Sequence, residues 1–296
     1  MGRTLALFTY KLRFFFGPSL RGRFGPLAYF VLILIFLPSG YLSGLGIGVA
    51  FRTMDPAGAV GLLSAPLAAL LSIGLLYSLG AGVTAHVSEF DFFLTADVRP
   101  REYLLADAVF QFVSLLAAGG LAAGVAAIAM VQEVGQPVSS ALPLVAILVA
   151  YVFLVLLTSQ VLVILRVRFP KAPVRLATVA LLVLSILPAI GVAQPGFPIR
   201  FEDLPIPSTA FAVLGAAVLN GTSPSLFHLA VTAAYLGGIV LAWWPLSDIY
   251  IFHGLKPTLS AGFGQVDLGS RMEMQRRMTA GLGRVTTRVR LRTDRG

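Results

Sequence analysis

Residues 141–165 read ALPLVAILVAYVFLVLLTSQVLVIL, with no acidic or basic side chain until Arg166 and Arg168 close the run. A helix needs about 20 apolar residues to cross the hydrocarbon core of a bilayer, and this run is long enough. It is too long and too uniformly apolar for one face of a soluble helix, which alternates polar and apolar positions. The whole chain agrees: it is 57% hydrophobic and 12% charged, with a mean hydropathy of +0.88, where soluble domains carry about 25% charged residues. The chain reads as an all-α integral membrane protein.

Further apolar runs lie at 26–51, 57–83, 103–131, 176–192 and 226–245, the fifth span at 176–192 being the shortest. Six transmembrane helices are therefore expected within one unit at 25–250, because no polar stretch is long enough to fold around its own core. A shorter apolar stretch at 208–219 is bounded by Pro205, Pro207 and Asn220-Gly221. It falls short of a crossing and reads as a surface or re-entrant helix within the external region 205–222. Residues 1–24 and 251–296 flank the spans.

Placing both ends in the cytoplasm leaves only Arg52 and Arg200, of the 22 Lys and Arg side chains, outside. Basic residues accumulate on the cytoplasmic side of short membrane loops, so an even number of spans is expected, in the cell membrane, with cytoplasmic termini. The first span runs well past the length of a signal-peptide core, and no cleavage is expected. Leu5, Phe8, Leu12, Phe15 and Phe16 share a helical face while Arg3, Lys11 and Arg13 lie elsewhere, which predicts a helix lying in the membrane interface before the first crossing. The net charge of +9 is accounted for by topology and by the Arg-rich tail from Lys256, whose default partner is anionic lipid rather than nucleic acid.

Much chemistry is excluded. The chain has no cysteine, hence no disulfide and no thiolate metal site. Asp107 is the only ionised side chain expected inside the spans, about one turn into the third, where it suits a helix-end or partner contact. Ion-coupled transporters place acids, bases or cation ligands at mid-membrane depth, and no such set is present. No HExxH, no Ser/His pair with a third member and no GxxxxGK[ST] phosphate loop occurs, so the chain is expected to be non-catalytic, without metal, and to bind no ATP by that device. His228 falls near the outer membrane edge and His86 and His253 at the inner one, so the three cannot share one metal site, and each reads as an interfacial hydrogen-bonding group. Gly40, Gly44 and Gly48, and Gly120 and Gly124, have the small-xxx-small spacing of close helix packing, read first as packing within the chain. Asn220-Gly221-Thr222 matches a glycosylation acceptor and reads first as a turn.

The polar loop 86–102, HVSEFDFFLTADVRPRE, holds six ionised side chains around a Phe90, Phe92, Phe93 and Leu94 patch. It is built to meet another protein at the membrane surface.

The layout of residues 1–250 resembles the membrane-spanning (permease) subunit of ATP-binding-cassette (ABC) transporters of the type-2 export class. Residues 5–16 look like that family's N-terminal elbow helix. Phe93-Leu94-Thr95 followed by Val98-Arg99-Pro100-Arg101-Glu102-Tyr103 is similar to its Leu-Leu-x-Thr-Pro-Val core and Arg-Glu-Tyr start of the third span. Pro207-Ser208-Thr209-Ala210 is similar to its Pro-Ser-Thr-Trp run that opens the external helices. Asp97 replaces a usual Pro, and Ala106-Asp107 a usual Gly-Lys. The resemblance implies that 86–102 forms a cytoplasmic coupling helix whose Glu89, Asp91, Phe92, Phe93, Asp97, Arg99, Arg101 and Glu102 contact a separate ATP-binding subunit. It implies two such subunits carrying ATP and Mg, a second permease copy in a homo- or heterodimer, and export of a substrate the sequence does not name. The alternatives are a membrane scaffold or assembly protein whose loop recruits a cytoplasmic partner, and an ion-independent channel or facilitator.

Overall fold

A computed structural model describes residues 2–21, 25–79, 98–169, 173–193 and 206–249. Every regular element among them is helical: α1 (Gly2–Arg21), α2 (Gly25–Thr53), α3 (Pro56–Leu79), α4 (Pro100–Leu115), a π-helical turn (Leu116–Gly120), α5 (Leu121–Val134), a 3-10 turn (Val138–Ser140), α6 (Ala141–Arg168), α7 (Val174–Ala193), α8 (Pro207–Leu219) and α9 (Leu226–Leu246). Four of these, at Ile33–Thr53, Pro56–Leu79, Val138–Arg168 and Leu226–Leu246, are long and apolar enough to cross a membrane. The helices occupy the expected runs with ends displaced by a few residues, which is ordinary fraying at helix termini. Large apolar side chains such as Leu34, Leu176, Leu226 and Leu241 point outward, an arrangement that suits lipid and would form an adhesive surface in water.

Local chemistry explains where the helices start and stop. Asp55 accepts the Gly58 N–H at 3.3 Å and Pro56 sits at the first helical position of α3, where its missing N–H costs nothing. At the far end of α8, Gly221 has φ +65°, its N–H reaches the Val218 carbonyl, and the Thr222 N–H reaches the Ala217 carbonyl at 2.9 Å. That is the paired-carbonyl stop of a helix, and it gives Asn220-Gly221-Thr222 a structural role as a turn. Gly135, at φ +82°, ends α5 in the same way.

Packing follows the small residues. The stripe Gly40, Gly44 and Gly48 on α2 lies directly against α5: a Cβ at Gly40 would sit 2.5 Å from the Ala122 carbonyl oxygen, one at Gly44 would overlap that of Ala126, and one at Gly48 would press on Glu133. Glycine is required because backbone meets backbone. The reading of this stripe as packing within the chain holds. A Cβ added at Gly124 would meet nothing within 4 Å, so that glycine takes no part in it.

The stretch 208–219 departs from one of its two expected readings. α8 is no surface helix: Ser208, Thr209, Phe211, Leu214 and Leu219 are among its many buried residues, and α3, α6 and α9 surround it. Phe211 packs edge-on against Tyr151 at 5.0 Å between ring centroids, and the Tyr151 hydroxyl donates to the Leu67 carbonyl at 2.9 Å. Without a polar face to hold it at an interface, an all-apolar helix of this length is stable only when enclosed.

Gly44→Ala is expected to destabilise the purified protein by about 1–3 kcal/mol through overpacking, read as a lowered unfolding midpoint in detergent. Gly46→Ala on the same helix, where an added Cβ meets nothing within 4 Å, should leave the midpoint unchanged or raise it.

Candidate functional site

The chain opens α4 with Arg99 in extended conformation and Pro100 at the first helical position. Glu102 turns back to accept the Arg99 N–H at 3.4 Å, which satisfies one orphan donor and places an acid at the positive end of the helix. From that fixed start, Tyr103, Asp107, Phe110 and Gln111 fall on one face at helical spacing.

That face meets α1. Lys11 is 1% exposed and Asp107 0%, and the Lys11 ammonium lies 2.7 Å from Asp107 Oδ1. The same ammonium donates to the Tyr103 hydroxyl at 3.0 Å and sits 4.4 Å from the centre of the Tyr103 ring, with Phe110 on another side at 5.8 Å. The second carboxylate oxygen, Asp107 Oδ2, accepts from Gln111 Nε2 at 2.7 Å and from Gln160 Nε2 at 3.4 Å. Gln160, on α6, also donates to the Leu104 carbonyl at 3.2 Å, and its Oε1 accepts the Trp243 indole N–H from α9 at 2.8 Å. One charge pair thus links α1, α4, α6 and α9, with the side-chain amides and the indole satisfying its flanks.

Two expectations are corrected here. Lys11 was expected away from the packed face of an interfacial helix, and Asp107 within reach of the headgroups. Instead Lys11 is buried within the chain beside Leu7, whereas Leu5 of the expected apolar face points outward, as a lipid-facing side chain does. The pairing reverses the periodicity rule: an isolated buried charge costs several kcal/mol, and a partner with hydrogen bonds on both sides offsets that cost. The unpartnered acid inside an apolar run was the available signal, since such an acid demands a cation from somewhere.

A second ionic clamp lies nearly two turns earlier on α4. Arg101 forms an ion pair with Asp248, donates to the Ser247 hydroxyl at 3.2 Å and to the Trp244 carbonyl at 3.1 Å, and stacks on the Trp244 ring at 4.3 Å. A cation on the last carbonyls of α9 complements the negative end of that helix. Arg166, from α6, does the same for α3, donating to the Ser78 carbonyl at 2.7 Å and to that of Leu79. The last described residues of α3 and the first of α4 are therefore both held by arginines, on either side of residues 80–97.

Of the residues expected to meet an ATP-binding subunit, Glu89, Asp91, Phe92, Phe93 and Asp97 lie outside the described residues. Arg99 is exposed, Arg101 is engaged within the chain, and Glu102 caps its own helix. The His228 ring nitrogen Nδ1 is hydrogen-bonded to the Ser225 hydroxyl at 2.6 Å at the start of α9, a local capping contact; His86 and His253 lie outside the described residues. No group of three His, Cys, Asp or Glu among the described residues could hold a metal ion. No family model, curated protein or solved structure matches the chain.

Lys11→Met or Asp107→Leu alone should cost about 3–5 kcal/mol, because each leaves a charge buried without its partner. Lys11→Met combined with Asp107→Leu should recover most of that loss, and a thermal-unfolding cycle of the four proteins measures the coupling.

Proposed function

We propose that this chain is the membrane-spanning subunit of an ATP-driven exporter, with six spans, cytoplasmic ends, and a separate ATP-binding subunit that docks on loop 86–102. The observation that carries this reading is the double anchorage of that loop. Residues 80–97 are bracketed by the Arg166 clamp on α3 and, on α4, by the Arg101 clamp and the Lys11–Asp107 pair. A loop whose two ends are fixed to α1, α6 and α9 passes any displacement at its tip into the bundle. A loop serving only as a tether has no use for such anchorage.

Other observations support the same reading. The chain has no phosphate loop, so work must come from a partner or a gradient, and among the described residues the one fully buried charge pair is tied into hydrogen bonds that fix helices together rather than into an open relay. In this reading α7 and the α4–α5 pair are the remaining two spans, each 20 residues or longer when the π turn is included. Pro207 at the first position of α8 accords with the opening of the external helices in the resembled family. Arg99, exposed beside the loop, is the described residue best placed to touch the ATP-binding subunit. Two copies of this chain, or this chain and a paralogue, would work with two ATP-binding subunits that hold ATP and Mg. The membrane scaffold remains the second reading, favoured by the phenylalanines that the sequence sets among the charges of the loop, whose partner then lacks ATPase activity.

Affinity purification of the full chain should bring down a protein that hydrolyses ATP. Phe92→Asp with Phe93→Asp should release it, or abolish the stimulation of its ATPase by this chain, while membrane insertion persists. Full association and transport in that variant would rule out the loop as the docking element, and a companion without nucleotide binding would favour the scaffold.

A further inference from the structure

A cavity of about 420 Å3 opens between α3, α6, α7 and α9, capped by the first residues of α8. Its walls are set at the middle of the long helices: Leu71 in α3, Leu154 and Thr158 in α6, Ser185 in α7 and Gly238 in α9. None of its lining residues is charged. Its mouth is apolar too, since Leu181 and Leu184 line it yet are 44% and 50% exposed on the outer face of α7. It lies apart from the Lys11–Asp107 pair.

The shape restricts the occupant. On α9 the wall runs from Ala234 to Ile239 and on α6 from Leu154 to Thr158, which is about 8 Å or less along the helix axes at 1.5 Å per residue. A lipid acyl chain lies along the bilayer normal and needs a longer groove. The volume falls instead within the range of pockets that enclose a compact small molecule. The polar atoms restrict it further. The Thr158 hydroxyl donates to the Leu154 carbonyl at 2.8 Å. Ser185 donates to that of Leu182 at 2.8 Å and shares a bond with Ser72 at 2.8 Å. With its proton committed, the Thr158 oxygen retains lone pairs that accept, so a ligand gains by donating.

We infer that this cavity binds a compact, uncharged molecule with a hydroxyl donor, admitted from the bilayer past Leu181 and Leu184. This names the substrate class of the proposed exporter and rests on that reading for its role in transport, though not for binding. Gly238 is suited to the test: an added Cβ there meets nothing within 4 Å, so a large side chain can fill the space without disturbing the helix.

The full chain in lipid nanodiscs is titrated with 1-hydroxypyrene, and energy transfer from Trp243 and Trp244 reports binding. Transfer should saturate above the bilayer background. Gly238→Phe should weaken the saturable component about tenfold or more with an unchanged unfolding midpoint. Thr158→Val should weaken hydroxypyrene about three- to tenfold and leave unsubstituted pyrene as it was. Pyrene-1-carboxylate should not compete. Transfer that never saturates, equal binding by Gly238→Phe, effective competition by the carboxylate, or a disulfide between copies of Leu184→Cys showing a second chain in the mouth would each overturn the inference. Because binding is read without nucleotide or partner, saturable binding without any associated ATPase sinks the exporter and keeps the site. An associated ATPase without saturable binding does the reverse.

Discussion

The Lys11–Asp107 pair is the constraint on which the cytoplasmic half of this fold depends under the proposed topology. Among the described side chains of α1, Leu7 is the one buried apolar residue, and burying one leucine contributes only about 1.5–3 kcal/mol. The charge pair fixes both the position of α1 along α4 and its rotation, because Lys11 must reach Asp107 and Tyr103 together. An apolar replacement of equal volume could match the stability, yet would leave α1 free to slide along a greasy surface. The pair trades little stability for a single register.

The same helix is held differently at its two ends. α4 is bound through ions and hydrogen bonds, whereas α5 is bound to α2 by backbone-to-backbone packing at Gly40 and Gly44. Each attachment dictates which face must point inward. The π turn Leu116–Gly120 lies between them and adds a residue to the helical turn, which rotates the following face relative to the preceding one. Without it, a straight helix would have to present the Asp107 face and the Ala122–Ala126 face in a phase set by 3.6 residues per turn alone.

What could be read from the sequence follows from which forces leave a local trace. Apolar runs and their limits are local, so α6 was expected at 141–165 and occupies Ala141–Arg168. The glycine stripe on α2 is local as well, since spacing alone announces close approach. Lys11 was misplaced because periodicity ranks a lysine as polar whatever stands opposite, and its partner is 96 residues away. Arg101 was assigned outward for the same reason: nothing near it in sequence shows that Trp244 and Asp248 would arrive beside it. The burial of α8 was half legible, since its apolarity excluded water but could not say whether lipid or protein would enclose it.

The arginines carry a further consequence for topology. Arg101 and Arg166 were counted among the basic residues that mark the cytoplasmic side, yet both are spent on the terminal carbonyls of neighbouring helices. These two uses are compatible because they share a cause. A helix that ends at a membrane surface leaves its last carbonyls unsatisfied and its dipole negative, so a cation held there by insertion is already where the capping role needs it. α3 and α9 both end with arginine on their carbonyls: α4 supplies one from its first turn and α6 the other from its last. Each arginine therefore lies level with the helix end that it caps, Arg101 with the end of α9 and Arg166 with the end of α3.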